Sequence, residues 1–232
     1  MTALFGYQTA LLLRSQRWLP PVLLYAIFLA IGVQSGQPVL DSLGYAAAAL
    51  LPVTAWLVRV CATQEPPAAR NIVAAATTPP RVHLASLLAA VACAGALGGA
   101  GTTVVVLISK ATSADGQVAI PLLPAAAAGF LAAAVCLLTG AAVGALCTRP
   151  LLYGRGWSLG ATALAALLAL VTSGSPAKYA LTGLITGSRT GTVHQPVLPL
   201  VAAVLVAAVA GTVACALSSL RGEGGAGVAG HA

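Results

Sequence analysis

Val197-Leu-Pro-Leu-Val-Ala-Ala-Val-Leu-Val-Ala-Ala-Val-Ala-Gly-Thr-Val-Ala-Cys-Ala-Leu217 contains no charged residue and no alternation of apolar with polar positions. A helix of about 20 residues crosses a hydrocarbon core of about 30 Å. The run is therefore long enough to span a bilayer. Its lack of alternation speaks against a membrane β-strand, which would turn every second side chain toward a polar lumen. Working outward, five more apolar blocks occur: Leu19–Gly36, Leu43–Val58, Leu84–Ile108, Leu122–Cys147 and Trp157–Ser173. No charge sits deep inside any of them. The second and fifth are short and need their uncharged flanks to span.

The predicted fold class is all-α: a polytopic membrane protein with six transmembrane helices and an N-terminal interfacial helix. Composition agrees. Charged residues make up 6% of the 232 and apolar ones 59%, whereas a soluble domain carries about 25% charged residues. Lipid leaves backbone groups no partners outside the chain, which favours helices. Residues 1–220 read as one six-span domain, and the Gly-rich stretch 221–232 as a disordered tail.

The net charge of +7 marks topology and not a nucleic-acid surface. With the N-terminus inside, Arg14, Arg17, Arg59, Arg70, Arg81, Arg149, Arg155 and Arg221 fall on the cytoplasmic side, and only Lys110, Lys178 and Arg189 fall outside. This bias predicts a multi-pass protein of the cell membrane with both termini cytoplasmic. A nucleic-acid face would need clustered basic residues with interleaved aromatics. Arg outnumbers Lys and Ala and Gly are common, a composition associated with bacteria of GC-rich genome.

Residues 3–18 form the interfacial candidate. Leu4, Tyr7, Leu11 and Leu12 share one helical face with Gln8, Arg14 and Ser15 off it, and Arg14, Arg17 and Trp18 suit an anchor at the headgroups. Gly32/Gly36, Gly95/Gly99 and Gly140/Gly144 fit the GxxxG spacing that lets helices pack closely. Cys61, Cys93, Cys136, Cys147 and Cys215 include no CxxC pair and read as packing residues.

No catalytic constellation is present in the sequence. GxxxxGK[ST], GxSxG and HExxH are all missing. The four carboxylates, Asp41, Glu65, Asp115 and Glu223, read as loop or tail residues, which leaves no ionisable group at mid-membrane for ion coupling. No enzyme activity, metal or cofactor is expected.

The informative segment is the inner loop Glu65-Pro-Pro-Ala-Ala-Arg-Asn-Ile-Val-Ala-Ala-Ala-Thr-Thr-Pro-Pro-Arg-Val-His83. Pro66 and Pro67 suit a first helical turn, with Glu65 complementing its dipole. Pro79 and Pro80 stop it. A short helix between two spans is predicted within residues 61–82.

This layout resembles the membrane (permease) subunit of a type 2 ATP-binding-cassette (ABC) transporter, the drug and polysaccharide exporter class. The resemblance rests on the interfacial N-terminal helix, the six spans, an acidic residue after the second span, and a short helix running into small-x-Pro-x-Arg. Pro66-Pro67 stand where the family commonly has Gly-Thr, and no Lys follows Arg81. The resemblance implies that Glu65, Arg70, Asn71, Thr77, Pro79 and Arg81 belong to a coupling helix that docks on an ABC ATPase subunit. It also implies a second permease subunit, identical or related, and an outer segment over 175–195 that dips back into the membrane. The Ala-, Leu- and Val-rich spans suit an amphipathic or lipid-like cargo. Two other classes fit the same residues: a structural or regulatory six-span protein without an ATPase partner, and an ion-coupled carrier.

Overall fold

The computed structural model describes residues 2–65, 69, 73, 76–147 and 155–226. They form eight helices: α1 (Thr2–Ser15), α2 (Leu19–Gly32), α3 (Val39–Thr63), α4 (Pro79–Ile108), α5 (Leu122–Cys147), α6 (Arg155–Val171), α7 (Pro176–Thr190) and α8 (Val197–Ala226). Among the described residues there is no strand, only two isolated bridges.

Four helices are long and apolar enough to cross a membrane: α3, α4, α5 and α8. A fifth span results if Gly160–Val171 and Pro176–Thr190, bent by 46° at a short break, count as one. The α2 helix differs from its expected length. It has 14 residues, about 21 Å. It ends early because Val33 turns extended and Gly36 adopts φ +88°, a conformation open to glycine at little cost. The second block, read as short, instead runs as a 25-residue helix. Its charged ends, Asp41 and Arg59, had hidden that length. Asp41 stands in the first turn of α3 and not in a loop, where its charge complements the helix dipole. Glu223 likewise falls within α8, which continues to Ala226 past the expected start of the tail.

The bundle is built around α3 and α5. In α3, 72% of its most apolar window is buried, against 17% in α8, so α3 is the axis and α8 a rim. Close approach explains the axis. A β-carbon at Gly140 would collide with the Leu51 carbonyl oxygen, and one at Gly144 would lie 2.9 Å from the Ala55 oxygen and 2.8 Å from the Val58 β-carbon. The Gly140/Gly144 pair thus lets two helix backbones touch. Ala125, Ala128, Ala132 and Cys136 extend the same small-residue face, all fully buried.

The rim is apolar and outward-facing. Leu198, Leu205 and Val209 on α8, Leu107 on α4 and Leu123 on α5 are mostly exposed. So much contiguous apolar surface is a liability in water and ordinary in lipid.

Chain order gives the bundle two ends. The far end holds the connections α2–α3, α4–α5 and α7–α8. They are laced by backbone bonds: Val39 N donates to Lys110 O (3.0 Å), Lys110 N to Gln37 O (2.9 Å), Ile120 N to Ala111 O (2.9 Å) and Ala114 N to Ser188 O (2.9 Å). The near end holds α1 and the α3–α4 connection. The expected tight turn at 149–155 falls mostly outside the described residues.

Candidate functional site

Of the residues that the family resemblance singles out, Glu65, Thr77, Pro79 and Arg81 lie at the described near end. The core of the arrangement is a polar relay between α1 and the end of α3. Gln64 Nε2 donates to Gln8 Oε1 at 2.9 Å. Gln8 Nε2 in turn donates to Glu65 Oε1 at 3.0 Å. Gln8 is 1% exposed, and a buried amide requires such partners. The relay therefore ties α1 to the end of α3, while the buried Leu12 packs it into the apolar cluster with Val58, Cys61, Leu87 and Ala90.

This corrects the predicted face of α1. Its buried residues are Gln8 and Leu12, one turn apart, while Tyr7 is 41% exposed. The polar residue placed off the apolar face is the docking contact, because its partners lie 56 and 57 residues away. No local pattern carries that information. Tyr7 still feels the site: partial burial, then the charge and hydrogen bond of Glu65, raise its phenol above the usual range.

The other singled-out residues follow along the connection. Arg70 and Asn71 lie outside the described residues. Ala69, Val73 and Ala76 are helical, and Thr77 closes a turn, its N–H and Oγ1 donating to Val73 O at 3.1 and 2.8 Å. Thr78 is extended (φ −165°, ψ 146°), and Pro79 and Pro80 open α4. A residue before proline avoids the helical region, so the chain breaks here as the prolines dictate. Val82 N then donates to Thr78 O at 3.2 Å. Arg81 sits in the first turn of α4 with its side chain exposed.

Two near-end residues were missed by the sequence reading. His83, the last residue of the inner-loop segment quoted above, is fully buried. Ser86 Oγ donates to its carbonyl at 2.7 Å. Cys215 Sγ of α8 donates to Pro80 O at 3.8 Å, tying the rim helix to the start of α4. Only residues three or four apart on α4 were legible as neighbours; the α8 contact is a product of the fold.

Beside this tie lies a cavity of about 490 Å³ between α4, α5 and α8, walled by residues such as Leu84, Leu88, Ala141, Ala208 and Gly211, with Arg81 at its near end. Among the described residues no cluster of three metal-ligating side chains exists.

The chain matches no protein-family model, no curated protein and no solved structure.

Proposed function

We propose that this chain is the membrane-spanning subunit of an ABC exporter of type 2 layout, bound to no nucleotide itself. In this reading α2 and the bent pair α6–α7 complete six spans, and α1 lies along the membrane surface. Two such subunits, identical or related, enclose a pathway for an amphipathic cargo. ATPase subunits dock on the α3–α4 connection through Glu65, Arg70, Asn71, Thr77, Pro79 and Arg81. ATP binding in those partners moves the connection, and the bundle switches between two arrangements.

The observation that carries this reading is the Gln64–Gln8–Glu65 relay. It joins the connection to a separate surface helix by side-chain hydrogen bonds. The proline pair at the start of α4 and the turn closed by Thr77 limit the connection on its other side. A segment held in this way transmits displacement to α1 and α4 together.

The test is a pull-down of ATPase from membranes with paired variants. Glu65→Lys with Arg70→Glu reverses the charges of the connection. Losing one side of a buried charged contact costs roughly 2–5 kcal/mol, so ATPase recovery should collapse at unchanged membrane level. Gln8→Leu loosens α1 without altering the charge of the connection and serves as the control. Unchanged recovery with the charge-reversed protein removes the reading. Orientation is checked by single cysteines at Ala69 and Gln117 in a Cys-free background. An impermeant reagent added outside should label position 117 and spare position 69.

A further inference from the structure

The groove between α4, α5 and α8 has a shape and polarity that define an occupant. Its walls are apolar: Leu84, Leu88 and Val91 from α4, Leu138 and Ala141 from α5, Ala208 from α8. On α4 the lining runs from Pro80 to Val91, about 16 Å along the axis. That is about half of a 30 Å hydrocarbon core, one leaflet deep. Leu84 and Leu88 on its lip are exposed, so it opens sideways and not into the bundle.

The near end of the groove is positive. Arg81 lines it, and its exposed side chain makes no hydrogen bond or ion pair among the described residues. The positive end of the α4 dipole lies at the same place. Pro79 and Pro80 have no N–H to offer, and the N–H groups of Arg81 and Val82 both donate to Thr78 O, at 3.1 and 3.2 Å. The backbone is thus occupied, and the guanidinium is the group left to hold an anion.

We propose that this groove is a binding site for an anionic phospholipid, one acyl chain lying against Leu84, Leu88 and Ala208 and the phosphate resting on Arg81. An apolar slot one leaflet deep with an exposed arginine at the headgroup level matches a lipid in both length and charge. A second copy of the chain would match the apolar walls but leave Arg81 with nothing specific to pair. The inference needs only that these helices span a bilayer; it gives the Arg81 side chain to the lipid, so in the exporter reading docking then falls to the other residues of the connection.

The test is native mass spectrometry of the full chain in mild detergent, titrated with phosphatidylglycerol and, separately, phosphatidylcholine of the same chains. Wild type should retain one phosphatidylglycerol roughly five- to tenfold more tightly than phosphatidylcholine. Arg81→Gln, at an exposed position, should bring the two lipids level. Gly211→Phe should lower both, because a side chain there enters the groove, and a β-carbon at Gly211 meets nothing within 4 Å. Equal retention of both lipids by wild type, an unchanged preference in Arg81→Gln, or full retention by Gly211→Phe each overturns the proposal. So does efficient disulfide cross-linking between two copies through cysteines placed at Leu88 and Ala208, which would make the groove a protein interface.

Discussion

The far end of the bundle is held by its backbone and the near end by its side chains. At the far end, four backbone bonds of 2.9–3.0 Å join the α2–α3 and α4–α5 connections and the end of α7. Such bonds survive most substitutions, because every residue but proline carries the donor. At the near end, α1 is tied by Gln8, Gln64 and Glu65 beside the buried Leu12, and one changed side chain cuts its hydrogen bonds to the end of α3. Between the two ends runs the α3–α5 seam, on which both depend. A molecule built this way has one fixed end and one adjustable end.

The severest way to break the contrast is to open the seam. Gly140→Leu drives a side chain into the Leu51 carbonyl, so both ends should fail together. Overpacking costs roughly 1–3 kcal/mol or more, visible as a lower unfolding temperature and aggregation on size exclusion in detergent. Gly211→Leu on the rim, where there is open space, should leave both readouts unchanged.

Cutting the relay should separate the ends. Gln8→Leu removes both side-chain bonds of the relay and leaves the buried Gln64 amide only its 3.5 Å bond to the Gln8 carbonyl, at a cost of roughly 1–3 kcal/mol. Hydrogen exchange should accelerate in α1 and leave the amides of residues 109–121 as protected as before. Equal acceleration at both ends would show that the two are one cooperative unit.

Trimming the far end should do less. Ser113 Oγ accepts from Val118 N at 3.1 Å, while Ser113 N still donates to Val118 O at 2.8 Å. Ser113→Ala should therefore cost about 1 kcal/mol, with faster exchange confined to that loop.

The smallest effect concerns alkali. The Tyr7 phenol titrates above its ordinary value of 10.0, so the folded state favours the neutral form. That contribution is complete below the unfolded pKa and is lost as pH rises through the folded one. Docking of α1 should weaken slightly only at strongly alkaline pH, and Tyr7→Phe should remove the alkaline step in α1 exchange. A step near neutral pH would point to another group.

What the sequence made legible is what repeats locally. Apolar runs marked α5 and the apolar stretch of α8 at nearly their observed bounds and α4 from Leu84 onward, while the Pro79-Pro80 pair, read as the stop of the preceding helix, proves to open α4 itself. The reading lost accuracy where charge or conformation decided an end. Asp41 and Arg59 were taken as limits of the second span, yet both sit within the α3 helix. Conversely, the uncharged Leu19–Gly36 looked continuous, but its last residues leave the helix at Val33. At the candidate site, Glu65 stood out from loop chemistry, and Thr77 and Arg81 only through the family resemblance. Gln8 did not, since its value comes from partners far along the chain. Gly140 and Gly144 showed the spacing of a contact, and only the fold showed that Leu51, Ala55 and Val58 were its other half.

The seam also bears on how the chain is made. The axis helix α3 is finished at Thr63, but its partner α5 is complete only at Cys147. At ribosomal speed that interval lasts roughly 4–17 s, during which α3 is without its mate. Its buried Thr54 hydroxyl is already spoken for, bonded to Leu50 O of its own helix at 2.8 Å. Thr139 on α5 is bonded in the same way to Val135 O at 2.8 Å. Neither hydroxyl needs the other helix for its hydrogen bond, so each is satisfied before the seam closes, and the seam itself is formed at these positions by shape.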